Sequence, residues 1–286
     1  MRSEEEIKKL IIDYAKSDER IRAVLLNGSR ANDKVMADQY QDFDIVYIVK
    51  ELRSSINDTG WMDVFGERII MQLPDEMVID EHNEDSYSYL ILFKDGNRID
   101  FTLYPVEKVQ KNYWPDSLTI GLLDKDDLFN NLPTPTDKDY WIKTPTEKEF
   151  LDTCNEFWWV CTYVAKGLLR DQVPYAKQML ETTVRPMFMK VIEWYIGFKT
   201  NFSVSFGSGG KFMSQYLTAR QYKSVLATYS DHHIESNWKS LLLTAELFSE
   251  FAIKVAGYFN FQYNFSEQEN VMEYLRKMRN MDTRIG

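Results

Sequence analysis

The sequence predicts an α+β chain in two parts, an N-terminal α/β region with a mixed sheet over residues 1–135 and a C-terminal helical bundle over residues 136–286. Three observations carry this expectation. Up to about Asn130, short β-rich apolar runs alternate with helical stretches. Leu132-Pro133-Thr134-Pro135-Thr136 then breaks the pattern with two prolines, as a connection between domains does. Beyond it, apolar residues recur at helical spacing in long segments. With 286 residues, 44% of them hydrophobic, the chain can fill two cores.

The elements follow in order. Ser3 with Glu6 three residues on is a capping-box pattern, and it opens a helix near residues 4–16. Ile21–Asn27 and Phe43–Val49 read as buried strands, with further strands near 69–73, 87–93 and 98–104. Lys94-Asp95-Gly96-Asn97 folds the last two into a hairpin. In the second half, Thr146 after Pro145 caps a helix over 146–169, and helices near 173–197, 211–229, 236–259 and 266–280 follow. Cys154 and Cys161 fall on one face of the first of these, beside Phe157 and Trp158, and read as buried free thiols. His82, His232 and His233 lack metal-ligand spacing with them and read as surface residues.

The chemistry concentrates at the end of the first strand. Asn27-Gly28-Ser29-Arg30 is a short polar turn in which Gly28 lets an anion approach the backbone, and the N–H groups of Gly28 and Ser29 and the Ser29 hydroxyl are donors for phosphate. Twelve residues separate Ser29 from Asp42-Phe43-Asp44. Side chains alternate along a strand, so Asp42 and Asp44 share a face, and Asp100 lies opposite the apolar row Ile99, Phe101, Leu103 on its own strand. Three like charges brought together in this way suit a hard divalent cation, Mg²⁺ with substrate phosphates above all. An EF-hand is excluded, because its third ligand would be Val46 and its glycine Tyr47. No G-x-x-x-x-G-K-[ST] and no G-x-G-x-x-G after a strand occurs in the chain.

Charge narrows the partners. With 44 acidic and 34 basic residues the net charge is −10, which disfavours nucleic acid and favours cationic ligands. The acidic run Asp75, Glu76, Asp80, Glu81, Glu84 and Asp85 reads as a solvated loop that can also attract a polycation. The charged start Met1-Arg2-Ser3-Glu4 is no signal peptide, and no run of about 18 apolar residues is present, so a cytoplasmic protein without a membrane span is expected.

Leu26-Asn27-Gly28-Ser29-Arg30-Ala31 with Asp42-Phe43-Asp44-Ile45, and Arg98-Ile99-Asp100-Phe101 as the strand of the third carboxylate, resemble the signature of the polymerase-beta-like nucleotidyltransferase superfamily. From about Ile7 to Tyr263, through Phe157-Trp158-Trp159-Val160 and Val164–Asp171, the chain is similar to the bacterial aminoglycoside 6-adenylyltransferases that inactivate streptomycin. The resemblance implies transfer of AMP from ATP to the 6-hydroxyl of the streptidine ring, with release of pyrophosphate and antibiotic resistance as the result. Asp42, Asp44 and Asp100 are the expected metal-binding and catalytic residues; Gly28, Ser29 and Arg30 are expected to hold the nucleotide.

In the second half, Lys211, at a helix start after the Gly207–Gly210 run, and Lys177 are candidates for the triphosphate. Glu156, Trp159 and Asp171 are candidates to pair with or stack on guanidinium groups of the aminoglycoside. Another aminoglycoside or a protein side chain as acceptor keeps the same chemistry, and the residues leave ATP versus GTP and the oligomeric state open.

Overall fold

The computed structural model describes residues 1–79, 85–112 and 115–285, with the side chains of residues 110–112 left aside. The chain divides into two compact units, Met1–Asp139 and Tyr140–Gly286.

The first unit is organised by a mixed six-stranded sheet. Its elements are α1 (Glu4–Ser17), β1 (Ile21–Asn27), β2 (Phe43–Val49), α2 (Leu52–Asn57), β3 (Arg68–Gln72), β4 (Tyr87–Phe93), β5 (Arg98–Pro105), α3 (Val106–Asn112) and β6 (Thr119–Asp124). The strand order is β3-β4-β5-β2-β1-β6, in which β2 and β5 run parallel and the other neighbours antiparallel. The capping box forms as expected: the Ser3 hydroxyl accepts from Glu6 N, and Ser3 N donates to the Glu6 carboxylate at 2.7 Å. The helix buries Ile7, Ile11 and Ala15 against Val24, Leu26, Phe43, Ile45 and Phe101. Tyr47 crosses this layer and donates its hydroxyl to the carbonyl of Ile11 at 3.0 Å.

The two sheet faces are unequal, and that inequality creates the site. One is apolar along the whole of β2, β4 and β5. On the other, Ala23, Leu25, Val46 and Ile48 make a small cluster under Leu128, Phe129 and Leu132, while the ends of the strands carry polar side chains. β6 was not expected from sequence. Its apolar run is short and interrupted by Gly121, and only pairing with β1 makes it a strand.

The second unit is helical: α4 (Glu147–Leu169), α5 (Val173–Met179), α6 (Arg185–Lys199), α7 (Met213–Tyr216), α8 (Ala219–Leu226), α9 (Ile234–Phe259) and α10 (Phe265–Asn280). Thr146 and Glu149 form the capping box of α4. Phe157 of α4 stacks on Phe248 of α9 with centroids 3.6 Å apart and Trp158 edge-on, and each such buried aromatic stabilises by about 1.5–3 kcal/mol. Cys154 and Cys161 are buried and unbridged, as expected.

Two helices differ from the sequence reading. The helix expected over 173–197 contains a π-helical turn, Leu180–Val184, between α5 and α6. The one expected over 211–229 is a 3₁₀ turn, Ser208–Gly210, followed by the short α7 and α8. Among the described residues no helix is long and apolar enough to cross a membrane.

Candidate active site

Strand register assembles the site. Asn27 is paired with Asp44 across β1 and β2, Asp44 with Asp100 across β2 and β5, and Asn27 with Thr119 across β1 and β6. Directly paired residues point to the same face, so Thr119, Asn27, Asp44 and Asp100 form one polar row over four strands. Asp42, two residues before Asp44, projects on the same side. Gly28 continues β1 into the one-turn helix Gly28–Ala31 with φ +75°, and an added Cβ would stand 2.2 Å from Oδ2 of Asp44. Only glycine meets both demands.

In this structure the Gly28 N–H, which the sequence offered to a phosphate, donates to the carbonyl of Leu118 at 3.1 Å. The Ser29 hydroxyl has no hydrogen-bond partner among the described residues and remains available.

Burial and crowding set the electrostatics. Burial first, and then the charges of Asp100 and Asp42, push the Asp44 carboxyl up to about 6. Burial also raises Asp42, with Arg98 acting in the opposite direction. Arg98, which the sequence reading missed, is the cation of this row. Its Nε and Nη2 donate to the two oxygens of Asp100 at 2.8 and 2.7 Å, and Nη1 lies 3.5 Å from Oδ2 of Asp42. The hydrogen bonds to Asp100 hold the guanidinium more firmly protonated than usual. The alternation that placed Asp100 on the polar face places Arg98 there too, and that signal was legible.

The donor set suits a hard divalent cation: three oxygen-bearing carboxylates, one of them driven toward its neutral form by burial and by the other two. In the arrangement seen, Arg98 takes both oxygens of Asp100, and among the described residues no three acidic, histidine or cysteine side chains converge as a ready metal site.

Several other candidates are placed differently. The Arg30 side chain is 5% exposed, ion-paired to Glu4 at 2.7 Å, bonded to the carbonyls of Gln41 and Asp42, and stacked on Phe43. It clamps α1 to the loop that carries Asp42 rather than presenting its charge to a phosphate. Lys177 donates to Ser230 O at 2.9 Å, Ser230 Oγ at 3.2 Å and Asp231 O at 3.1 Å, so its three protons have protein acceptors. Asp171, at positive φ after α4, is ion-paired to Arg284 at 2.7 Å, with its carboxylate largely exposed.

Lys211 is exposed, but α7 begins two residues later and is one turn long, so the lysine gains no helix N-terminus. Glu156 and Trp159 lie exposed on α4, with the indole N–H donating to the Tyr163 hydroxyl at 2.6 Å. In the acidic run, Asp75 accepts from Ser88 N, Glu76 from the Tyr87 hydroxyl, and Asp85 pairs with Lys108, so these three have partners in the fold. Asp80, Glu81, Glu84 and His82 lie outside the described residues.

Comparison with known proteins places the chain. A family model described as streptomycin adenylyltransferase matches residues 1–278. The aminoglycoside 6-adenylyltransferase of Bacillus subtilis (strain 168) is 40% identical over 265 residues, covering 92% of this chain and 93% of that protein. The aminoglycoside 6-adenylyltransferase of Campylobacter jejuni is 38% identical over 279 residues, covering 98% and 96%. A crystal structure of the Bacillus subtilis aminoglycoside 6-adenyltransferase shares 35% identity over 98% of this chain and 99% of that one, with a TM-score of 0.48.

Proposed function

The chain belongs to the streptomycin adenylyltransferase family, and on that premise we propose that it transfers AMP from ATP to the 6-hydroxyl of the streptidine ring of streptomycin in the cytoplasm, releasing pyrophosphate. The observation that carries the reading is the register of Asp44 and Asp100 on neighbouring strands, with the side-chain-free Gly28 open beside them.

In this reading the acceptor oxygen attacks the α-phosphorus, its bond to phosphorus forms as the bond to the pyrophosphate oxygen breaks, and its proton passes to a carboxylate. Asp100 is the acceptor of that proton, and Arg98 holds it in orientation through two parallel hydrogen bonds. The Ser29 hydroxyl donates to a phosphate oxygen, and Gly28 leaves room for that phosphate to approach the carboxylate row. Asp42 and Asp44, with Asp100, are the residues that would hold Mg²⁺, which when bound supplies neutralisation of phosphate charge and a lowered pKa at the attacking hydroxyl.

Glu156 and Trp159 offer a charge and an aromatic face of the kind a guanidinium binds, and Lys211 an exposed ammonium of the kind a phosphate binds. The test is radiolabelled ATP with Mg²⁺ and streptomycin, kanamycin or spectinomycin in parallel. Streptomycin-dependent AMP transfer with stoichiometric pyrophosphate is expected, and transfer to kanamycin alone would overturn the acceptor.

A further inference from the structure

Resting on the AMP transfer proposed above, we infer that Arg2 and Glu4, on either side of the Ser3 cap, are positioning residues that fix Asp42 and Arg98 against each other. They act from the far side of the sheet. α1 packs on the apolar face, whereas the carboxylate row lies on the other.

Asp42 and Arg98 need such support because the sheet itself does not supply it. β2 and β5 are paired from Phe43 and Ile99 onward. Asp42 lies one residue before β2 and Arg98 is the first residue of β5, so between these two strands both stand just beyond the ladder. Their direct contact, Arg98 Nη1 to Asp42 Oδ2, is 3.5 Å long, with the side chains 42% and 39% exposed. An ion pair so long and so open to water contributes little by itself.

Two ties run from the start of α1 to these two positions. Glu4 Oε2 accepts from Arg30 Nη1 at 2.7 Å, while Arg30 Nη2 donates to the carbonyl of Gln41 at 2.7 Å and Nε to that of Asp42 at 3.1 Å. The guanidinium thus links Glu4 to the peptide groups that lead into β2, packed 3.8 Å from the ring centre of Phe43. On the other side, Arg2 Nε donates to Asp95 Oδ2 at 2.6 Å, and the Asn97 side-chain amide donates to the carbonyl of Arg2 at 3.4 Å. Asp95 also accepts from Asn97 N at 3.0 Å and from its side-chain amide at 2.7 Å. Asn97 is buried and immediately precedes Arg98.

The cap joins the two ties. Ser3 N donates to the Glu6 carboxylate at 2.7 Å and the Ser3 hydroxyl accepts from Glu6 N at 3.3 Å, so the backbone between Arg2 and Glu4 is held. Lys8 pairs with the second Glu4 oxygen at 2.5 Å and keeps that carboxylate in place. A shift at the start of one strand is therefore passed to the other. Losing either tie leaves ligand-binding groups intact and misplaces the groups that react.

Full-length wild type, Glu4→Ala, Glu4→Gln, Arg2→Ala and Tyr47→Phe would be compared by steady-state kinetics, calorimetric melting and amide hydrogen exchange. Tyr47→Phe is the control, because it removes the hydroxyl bond to Ile11 and loosens α1 while leaving both ties in place. Glu4→Ala and Arg2→Ala are expected to lower kcat about tenfold, with KM for ATP and for streptomycin within about twofold of wild type. Glu4→Gln keeps an oxygen that accepts from Arg30 and should return kcat to within about threefold. Tyr47→Phe should melt lower and keep kcat within about twofold. An equal loss of kcat in Tyr47→Phe would reduce the ties to general stabilisers and overturn the proposal. Near-normal kcat in both alanine variants would overturn it too.

Hydrogen exchange reads the ties without turnover. Amides in 41–44 should exchange at least about fivefold faster in Glu4→Ala, and those in 95–99 in Arg2→Ala, whereas unchanged exchange at both overturns the proposal. Wild type that transfers AMP to no acceptor would sink the proposed reaction and leave exchange to decide the ties, so the two failures are told apart.

Discussion

A Cβ on Gly28 would stand 2.2 Å from Oδ2 of Asp44, and the same glycine sits at φ +75°. Gly28→Ala must therefore either strain the backbone or push the carboxylate out of its row. The backbone alone costs about 1–2 kcal/mol, and a displacement near 1 Å at the reacting groups costs about 100-fold in rate. We expect a modest fall in melting temperature with a large fall in kcat. Steady-state kinetics beside calorimetry checks it, and kcat within about twofold of wild type would count against the close approach.

Asp42→Asn and Asp44→Asn remove charge while keeping shape. Each should abolish turnover, because neither amide replaces an anionic oxygen ligand. Stability should move the other way for Asp44, whose carboxyl is raised to about 6 by burial and by two like charges. Without added metal, Asp44→Asn should melt no lower than wild type at neutral pH. Differential scanning calorimetry with parallel activity assays reads both, and near-normal turnover in both variants would rule out the metal assignment.

Arg98 pairs with Asp100 through two donors and reaches toward Asp42, so its loss leaves the row without its cation. Arg98→Gln should lower kcat by about 10–100-fold with a smaller change in KM for streptomycin, since it disorients Asp100 without touching the acceptor. Arg98→Lys restores charge but not the paired donors and should recover only part of the rate. Full recovery by lysine would mean that charge, not orientation, is what Arg98 supplies.

The carboxylate row was legible because strand alternation is a local rule: Asp42, Asp44 and Asp100 each declare their face from two neighbours on either side. The glycine turn and the caps at Ser3 and Thr146 are local in the same sense. What the sequence hid depends on distant partners. Arg30 meets Glu4, Lys177 meets Ser230 and Asp171 meets Arg284, so three charges that look free along the chain are neutralised or bonded across it. β6 exists only because β1 offers an edge, and Lys211 gains no helix because Phe212 departs from helical geometry and α7 ends after one turn at the extended Leu217.

Asp282 should contribute to the acid sensitivity of the second unit. The buried carboxylate accepts from Arg284 Nε at 2.7 Å, from Arg284 Nη2 at 2.8 Å and from the Trp238 indole at 3.0 Å. Hydrogen bonding to Arg284, followed in importance by the Trp238 bond and opposed by burial, holds its pKa down to about 2. A depressed carboxylate contributes stability that is fully present above its unfolded value near 4 and is lost as pH falls through the folded value. Between pH 5 and 2, as rough bounds, wild type should lose about 1–2 kcal/mol from this group alone. Asp282→Asn should be less stable than wild type at pH 7, with a shallower decline over the same acid range. Chemical denaturation at a series of pH values measures both slopes, and parallel acid profiles for the two proteins would remove Asp282 as the source.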